Sequence, residues 1–362
     1  MSTHIRTLSV RVKDCHAGLL RKMASEVNAI FNLTNEITCA AYSNAGEFGA
    51  QKPQWLSAFD VQKMTAGIQR KRGWIIGSST VQEVISYHSK ARQQSKRPRL
   101  RWRKSHGVRR SLGWVPFKSR AAQWRDGCVL FAGHLFKVWD SYHLENYIFR
   151  AGSFAEDSRG RWYFNIFVEI STSISPGTRA LGIDLGLKAT ATDSEGGRLE
   201  VGHFYRSLEP VLRKAQRARK KYRIKNIHAK IKNRRKDSLH KYTTGLVNQY
   251  VAIFVGDISS KALIQTKLAK SVLDASWTML KTQLKYKAIA RSVVFDIVSE
   301  RYSTQTCSCC GAISVNSPKG RAGLRIREWT CVECGAIHDR DINAAKNILA
   351  AGHCRLGAGN LT

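Results

Sequence analysis

The sequence predicts an α/β domain carrying an inserted metal ribbon, preceded by a β-rich domain that a helical segment interrupts. Three observations predict it. From Arg179 onward strand-like and helix-like stretches alternate, as they do in α/β folds. Upstream, short period-two segments flank a stretch with helical spacing. Near the C-terminus two Cys-x-x-Cys pairs are separated by residues 311–330, a metal-ribbon spacing.

A chain of 362 residues with 43% hydrophobic content has room for two or three domains. Sixty Lys and Arg against 26 Asp and Glu leave a net charge of +34, which opposes compactness unless a polyanion neutralises it. Nucleic acid is the expected partner. An anionic membrane is the rival, but "MSTHIRTLSV" has no apolar signal core and no run approaches the length of a membrane span. The expectation is a soluble cytoplasmic protein with no membrane partner. Cys15, Cys39, Cys128 and Cys354 are scattered, while five cysteines crowd into 307–334. Reduced thiols with one metal site explain this better than disulfides.

The elements follow in order. "HIRTLSVRVK" alternates Leu8, Val10 and Val12 with polar residues, as a half-buried strand does. Asp14 is expected to cap a helix with Leu20, Met23, Val27, Ile30 and Phe31 on its apolar face. A second helix is expected after Asp60. A third is announced by Thr80 and Glu83 as a capping box, with Val81, Val84, Ile85 and His88 on one face. The run "KARQQSKRPRLRWRKSHGVRR" is too basic to build a core. From Trp114 to about 175 short strands return, clearest where Phe164, Ile166, Val168 and Ile170 share a face, and "STSISPGT" is a turn. Further strands are expected at 180–185, 188–194, 198–205, 250–256 and 292–298. A strongly basic helical segment lies between the third and fourth of these, and a second helical stretch at about 261–290.

Cys307, Cys310, Cys331 and Cys334 form the most specific local signal, "CSCCG…CVECG". Four thiolates suit tetrahedral Zn²⁺, and a site filled by protein on all sides is structural. Cys309 is the surplus thiol.

The acids are less local. "LGIDLGLKATATDS" ends an apolar run at Asp184, between Gly182 and Gly186, and "HDRDINAAKNIL" sets Asp339 and Asp341 at the start of an Ala-rich helix. Capping alone accounts for one of that pair. In an RNase H-like fold, acids on the first strand, after the fourth and on the last helix converge to hold Mg²⁺, two ions of which drive phosphodiester cleavage. Gly182 and Gly186 are then expected to allow close approach to the metal.

Together with "YVAIFVGDISS", "SVLDASWTMLKTQLKYKA" and "STQTCSCCG", these segments resemble the TnpB (OrfB) proteins of bacterial insertion sequences, relatives of type V CRISPR effectors, most strongly over 179–350. The resemblance implies a RuvC-type (RNase H-like) nuclease domain with an inserted four-cysteine zinc ribbon, behind a β-rich wedge domain interrupted by a helical recognition insertion. It divides the chain into 1–13, the first wedge strand; 14–106, the recognition insertion and basic linker; 107–178, the wedge β segment; 179–304, RuvC, with a basic helical segment at 206–245; 305–336, the ribbon; and 337–362, the closing helix and tail. The implied activity is RNA-guided, Mg²⁺-dependent DNA cleavage beside a short motif. The implied partners are guide RNA from the element's own end and double-stranded target DNA, for a monomer bound to its RNA in the bacterial cytoplasm and on the nucleoid.

By motif, Asp184 is the first RuvC acid and Asp341 the third, accompanied by Asp339. Many family members read Glu-Asp where this chain has Gly256 and Asp257. Glu300, ending "VVFDIVSE", is preferred to Asp257 as the replacement, because adjacent strand residues face opposite ways and Asp257 is equally suited to cap a following helix. Asp274 is an outside candidate.

The basic stretches 92–110 and 211–241 are expected to neutralise phosphates, with Arg101, Trp102, Arg103, Lys104, Arg217, Lys220, Lys221, Tyr222, Arg223, Arg234 and Arg235 as candidate contacts through charge and base stacking. Two other readings compete with a nuclease. One is a nuclease-inactive RNA-guided binding protein, motivated by Gly256; the other is a guide-independent zinc-ribbon transposase.

Overall fold

The computed structural model describes residues 3–43, 55–174, 177–258, 269–320 and 322–359. Parts of the expected helical insertion (44–54), turn (175–176) and second helical stretch (259–268) lie outside them. The chain divides into two compact units, Ile5–Ile170 and Ser171–Thr362 together with Met1–His4.

In the first unit a five-stranded sheet has the order β2-β7-β8-β1-β6, from Trp114–Phe117, Gly152–Glu156, Trp162–Ser171, Thr3–Val12 and Val138–Trp139. A three-stranded meander, β3-β4-β5, is formed by Ala122–Arg125, Cys128–Phe131 and His134–Phe136. Leu8, Val10 and Val12 point inward from β1, as their alternation predicts. Phe117, Phe154 and Phe164 fill the core with ring centroids 5.1 to 5.9 Å apart. Helices α1 (Ala17–Ser43), α2 (Ala58–Met64), α3 (Ile68–Lys71) and α4 (Ser78–Ser95) make up the helical part. The expected apolar faces of α1 and α4 are buried.

The helix starts differ from expectation. Asp14 caps nothing: its carboxylate pairs with Arg11 at 2.7 Å, and a 3-10 turn, Asp14–His16, leads into α1. Helix α2 begins before Asp60, because Ser57 is the cap and Asp60 closes the box by accepting the Ser57 N–H at 2.9 Å. Helix α4 starts one turn ahead of the predicted box, after Gly77, and Thr80 is buried.

The second unit is built on a sheet of order β11-β10-β9-β12-β13. Its strands are Arg198–Glu200, Ala189–Asp193, Arg179–Asp184, Tyr250–Gly256 and Val294–Val298. Strands β9, β12 and β13 run parallel, and β10 is antiparallel to both neighbours. The near-continuous apolar runs of β9 and β12 suit strands covered on both faces. β11 stops at Glu200, short of the expected 205, and the Tyr205 N–H donates to the Asp274 carboxylate at 2.9 Å.

The helices are α5 (Glu209–Arg217), α6 (Lys221–Gln249), α7 (Ala269–Ala275), α8 (Trp277–Arg291) and α9 (Arg340–Gly359). The Trp277 indole N–H ties α8 to the sheet by donating to Thr190 O at 3.1 Å. Antiparallel β14 (Glu328–Thr330) and β15 (Ile337–Asp339) belong to the ribbon. Among the described residues no helix is long and apolar enough to cross a membrane.

Candidate metal centres

Two clusters of candidate metal-ligating side chains lie in the second unit. In the first, the donor atoms of Cys307, Cys310, Cys331 and Cys334 all lie within 4.8 Å of one another. Cys307 and Cys334 sulfurs are 3.6 Å apart, and Cys310 and Cys331 sulfurs 3.7 Å. Thiolates about 2.3 Å from a tetrahedral centre stand about 3.8 Å from one another, so the spacing fits Zn²⁺. Gly311 and Gly335 follow the two pairs with φ of 78° and 72°, the left-handed turn that each knuckle requires. Burial pushes the Cys307 thiol up, but backbone hydrogen bonds from Cys310 and Cys309 and the His338 ring outweigh it and bring it to about 6. His338 Nε2 lies 3.0 Å from the Cys307 sulfur, a contact that local spacing does not reveal.

The second cluster is assembled from distant segments. Ile183 pairs with Val255 and Gly256 with Val298, so Asp184 and Gly256 stand at neighbouring strand ends, with Glu300 just past the third. The C-terminal ends of parallel strands are where α/β sheets place their ligands. Asp341 arrives from the first turn of α9, which packs closely on β9. A Cβ on Gly182 would stand 2.1 Å from Ala345 O and 2.6 Å from Leu349 N, so glycine here admits the helix backbone. That corrects its expected role of admitting a metal ion.

The electrostatics record the convergence. Burial, then the Asp341 carboxylate, then the Glu300 carboxylate push the Asp184 carboxyl up to about 8, against the pull of Arg340 and the Leu185 N–H. Glu300 is raised as well, by burial first and Asp257 second, while Lys281 and the Ile258 N–H oppose the shift. Among the described residues no three carboxylates lie within 4.8 Å of one another. Asp341 turns instead to cations, with Arg327 Nη1 at 3.1 Å from Oδ2 and Arg340 Nη2 at 2.9 Å from Oδ1.

Gly256 and Glu300 fit together. A Cβ at 256 would lie 2.9 Å from Glu300 Oε2, so the Glu300 carboxylate occupies the space a side chain at 256 would enter. Asp257 Oδ1 accepts the Glu300 N–H at 3.2 Å, and the Ile258 N–H donates to the Glu300 carboxylate. Lys281 Nζ reaches Ile258 O at 3.4 Å. The helix that Asp257 is expected to cap falls outside the described residues.

The remaining acids are engaged elsewhere. Asp339 is the cap of α9: its Oδ1 accepts the N–H groups of Asp341 at 2.9 Å and Ile342 at 3.0 Å, and its Oδ2 takes Arg198 at 2.7 Å. Asp274, 3% exposed, holds Arg235 at 2.8 Å besides the Tyr205 N–H, a packing role.

The basic candidates divide in the same way. Arg101, Lys104, Arg217, Lys220, Lys221, Tyr222, Arg223 and Arg234 are exposed. Arg103 instead stacks over Phe31 at 4.6 Å and Trp114 at 5.2 Å, and Trp102 is half-buried beneath Arg99 at 5.3 Å. Arg235 is bound to Asp274. Charge alone hid these internal uses.

Two family models match the chain, one described as "Probable transposase" over residues 165–267 and one as "Cas12f1-like, TNB domain" over 277–348. A Streptomyces pristinaespiralis protein named RNA-guided DNA endonuclease is 33% identical over 278 residues, 72% of this chain and 66% of the relative. The chain belongs to the TnpB (OrfB) family. A second relative, InsQ of Escherichia coli K12, is 30% identical to this TnpB-family chain over 234 residues, 56% of the chain and 57% of InsQ. The chain thus aligns with somewhat less than two thirds of these relatives' lengths. A solved Cas12f1 in complex with guide RNA and target DNA shares the fold of this TnpB-family chain, with a TM-score of 0.59, 12% identity and coverage of 96% of this chain and 98% of that one.

Proposed function

We propose that this TnpB-family chain is an RNA-guided, divalent-metal-dependent DNA endonuclease. Its second unit is read as an RNase H-like (RuvC) domain with an inserted zinc ribbon, and its first unit as a wedge domain with a helical recognition insertion. The observation that carries the reading is the convergence on Asp184 of β9: besides its burial, the Asp341 carboxylate from α9 and the Glu300 carboxylate from just past β13 both raise its carboxyl. A buried carboxyl such as Asp184, raised beside other carboxylates, suits a hard divalent cation that offsets the charge.

Asp184, Glu300 and Asp341 would hold Mg²⁺, and Cys307, Cys310, Cys331 and Cys334 would hold Zn²⁺. Bound Mg²⁺ supplies activation of water and stabilisation of the leaving oxygen in phosphodiester hydrolysis. The chain's own residues do the rest. Asp257 and Ile258 orient Glu300, Lys281 holds the Ile258 carbonyl, and Arg340 and Arg327 hold the Asp341 carboxylate in place. The exposed bases of α5 and α6 attract the phosphate backbone, with an affinity that falls steeply as salt rises. The guide–target duplex would be held by shape, and sequence would be read by pairing.

The nuclease-inactive reading rests on Gly256, and Glu300 in the space beside it weakens that reading. The protein acts in the cytoplasm as a monomer with its RNA under this proposal. Purified chain with its bound RNA, given a matching duplex, is expected to cut in Mg²⁺ and to stop cutting as Asp184→Ala. Stable binding without product by the unaltered chain would favour the inactive reading, and unaltered cutting by Asp184→Ala would reject the site.

A further inference from the structure

Glu300 and Cys307, one from each metal cluster, are joined by a run of turns with no regular secondary structure. Such a segment needs side chains to hold its backbone polar groups. Two asparagines on α9 do so. Asn343 Nδ2 donates to Ser303 O at 3.3 Å and Thr306 O at 2.8 Å. Asn347 Nδ2 donates to the same two carbonyls at 2.8 and 2.7 Å. Four amide hydrogens therefore meet two carbonyls with two lone pairs each, and the acceptors are saturated. Asn343 Oδ1 also accepts the Ser308 N–H at 2.9 Å, inside the first cysteine knuckle, and Asn343 is only 1% exposed.

The two residues are i and i+4 on one helix face, so a single rigid element makes both grips. That element carries Asp341 two residues before Asn343. The gripped segment begins at Glu300, whose carbonyl accepts the Ser303 N–H at 3.1 Å, and ends at a cysteine ligand. The helix of one acid is thus stapled to the loop of another, and the same staple reaches the knuckle.

We propose that Asn343 and Asn347 are positioning residues that set the separation of Glu300 and Asp341 and make it depend on the filled cysteine site. The inference rests on the reading of those acids as one divalent-cation site. A saturated amide staple, anchored by the buried Asn343 and the half-buried Asn347, transmits displacement because movement of the knuckle leaves its donors or carbonyls unmatched.

The test uses the full chain with its RNA and Mn²⁺ as the probe, with free Mn²⁺ followed by electron paramagnetic resonance. Hydrogen exchange is followed at the amides of 303–308. Asn347→Ala is expected to weaken Mn²⁺ about tenfold, as loss of a supporting hydrogen bond around metal ligands does, and to speed exchange at 303–308 while zinc content is unchanged. Removing zinc from the unaltered chain is expected to do both. Arg355→Ala, on the same helix but bonded to Ile297 O, is expected to do neither. Asn347→Asp keeps the size and loses the donors, and is expected to match Asn347→Ala, so a folding failure of Asn347→Ala does not remove the test.

Unchanged Mn²⁺ affinity in both Asn347 variants, or in the zinc-free chain, overturns the coupling. If Mn²⁺ binding is also indifferent to Asp184→Asn and Glu300→Gln, the carboxylate site itself fails, and the coupling with it.

Discussion

The cysteine and carboxylate clusters of the second unit are opposites in construction. The cysteine site is closed and local: four sulfurs at tetrahedral spacing, supplied by two knuckles, each turned by a left-handed glycine. The carboxylate cluster is assembled at long range, and burial first, then the Asp341 and Glu300 carboxylates, push the Asp184 carboxyl up to about 8. A site that stabilises a fold satisfies its ligands with one another. The carboxylate cluster, read as a site that does chemistry, leaves the buried Asp184 beside like charges rather than satisfied by them.

Substitutions can break that contrast at several strengths. The largest effect is expected at the acids. Asp184→Ala or Asp341→Ala should lower cleavage by about 10³-fold or more while RNA and DNA binding persist, checked by single-turnover cleavage and gel shift. Gly256 and Glu300 sharpen it next. Gly256→Glu alone should be nearly as damaging as Glu300→Ala, because its side chain enters the space of Oε2. Gly256→Glu combined with Glu300→Ala should recover part of the activity of either single change, since the carboxylate returns to the same space from the neighbouring strand. A double variant no better than the singles would refute the exchange.

Cys331→Ser tests the closed site. It should cost zinc and ribbon structure, since a structural zinc site supplies folding energy outright, and leave the melting of the first unit unmoved, followed by metal analysis and hydrogen exchange. Asp257→Asn should be milder, about tenfold in cleavage, because it weakens only the hold on the Glu300 N–H.

The last effect is on stability. The folded pKa of Asp184 is raised, so the native state binds its proton more tightly than the unfolded chain does. The resulting stabilisation is fully present below about pH 4 and is lost as pH rises through about 8. Without divalent cations, the melting temperature of the unaltered protein relative to Asp184→Asn should therefore fall between those limits. Saturating Mg²⁺ should flatten the difference.

What was legible in the sequence follows the same division. The cysteine set lay open because ligands paired within one knuckle are neighbours in the chain. Asp184 and Asp341 stood out as acids at element ends, but their meeting needed the close packing of α9 on Gly182, whose bareness looked like space for an ion. Glu300 could be preferred to Asp257 from strand alternation alone. That its carboxylate lies against Gly256 depends on the parallel register of β12 and β13, which no local pattern encodes. Asp14 and Thr80 misled because a polar residue near a helix start is a cap only if its own backbone leaves the helix there. Arg103 and Arg235 counted as surface charge until aromatic rings and Asp274 were seen to hold them. Asn343 and Asn347 showed helical spacing, but nothing nearby named the loop they grip.

The most direct measurement of the central claim is anomalous diffraction from Mn²⁺ in crystals of the RNA-bound protein. Mn²⁺ is expected to be held by oxygens of Asp184, Glu300 and Asp341, retained in Asp257→Asn and lost or displaced in Glu300→Gln. Mn²⁺ bound by Asp257 without Glu300, or no ion near Asp184, would contradict it.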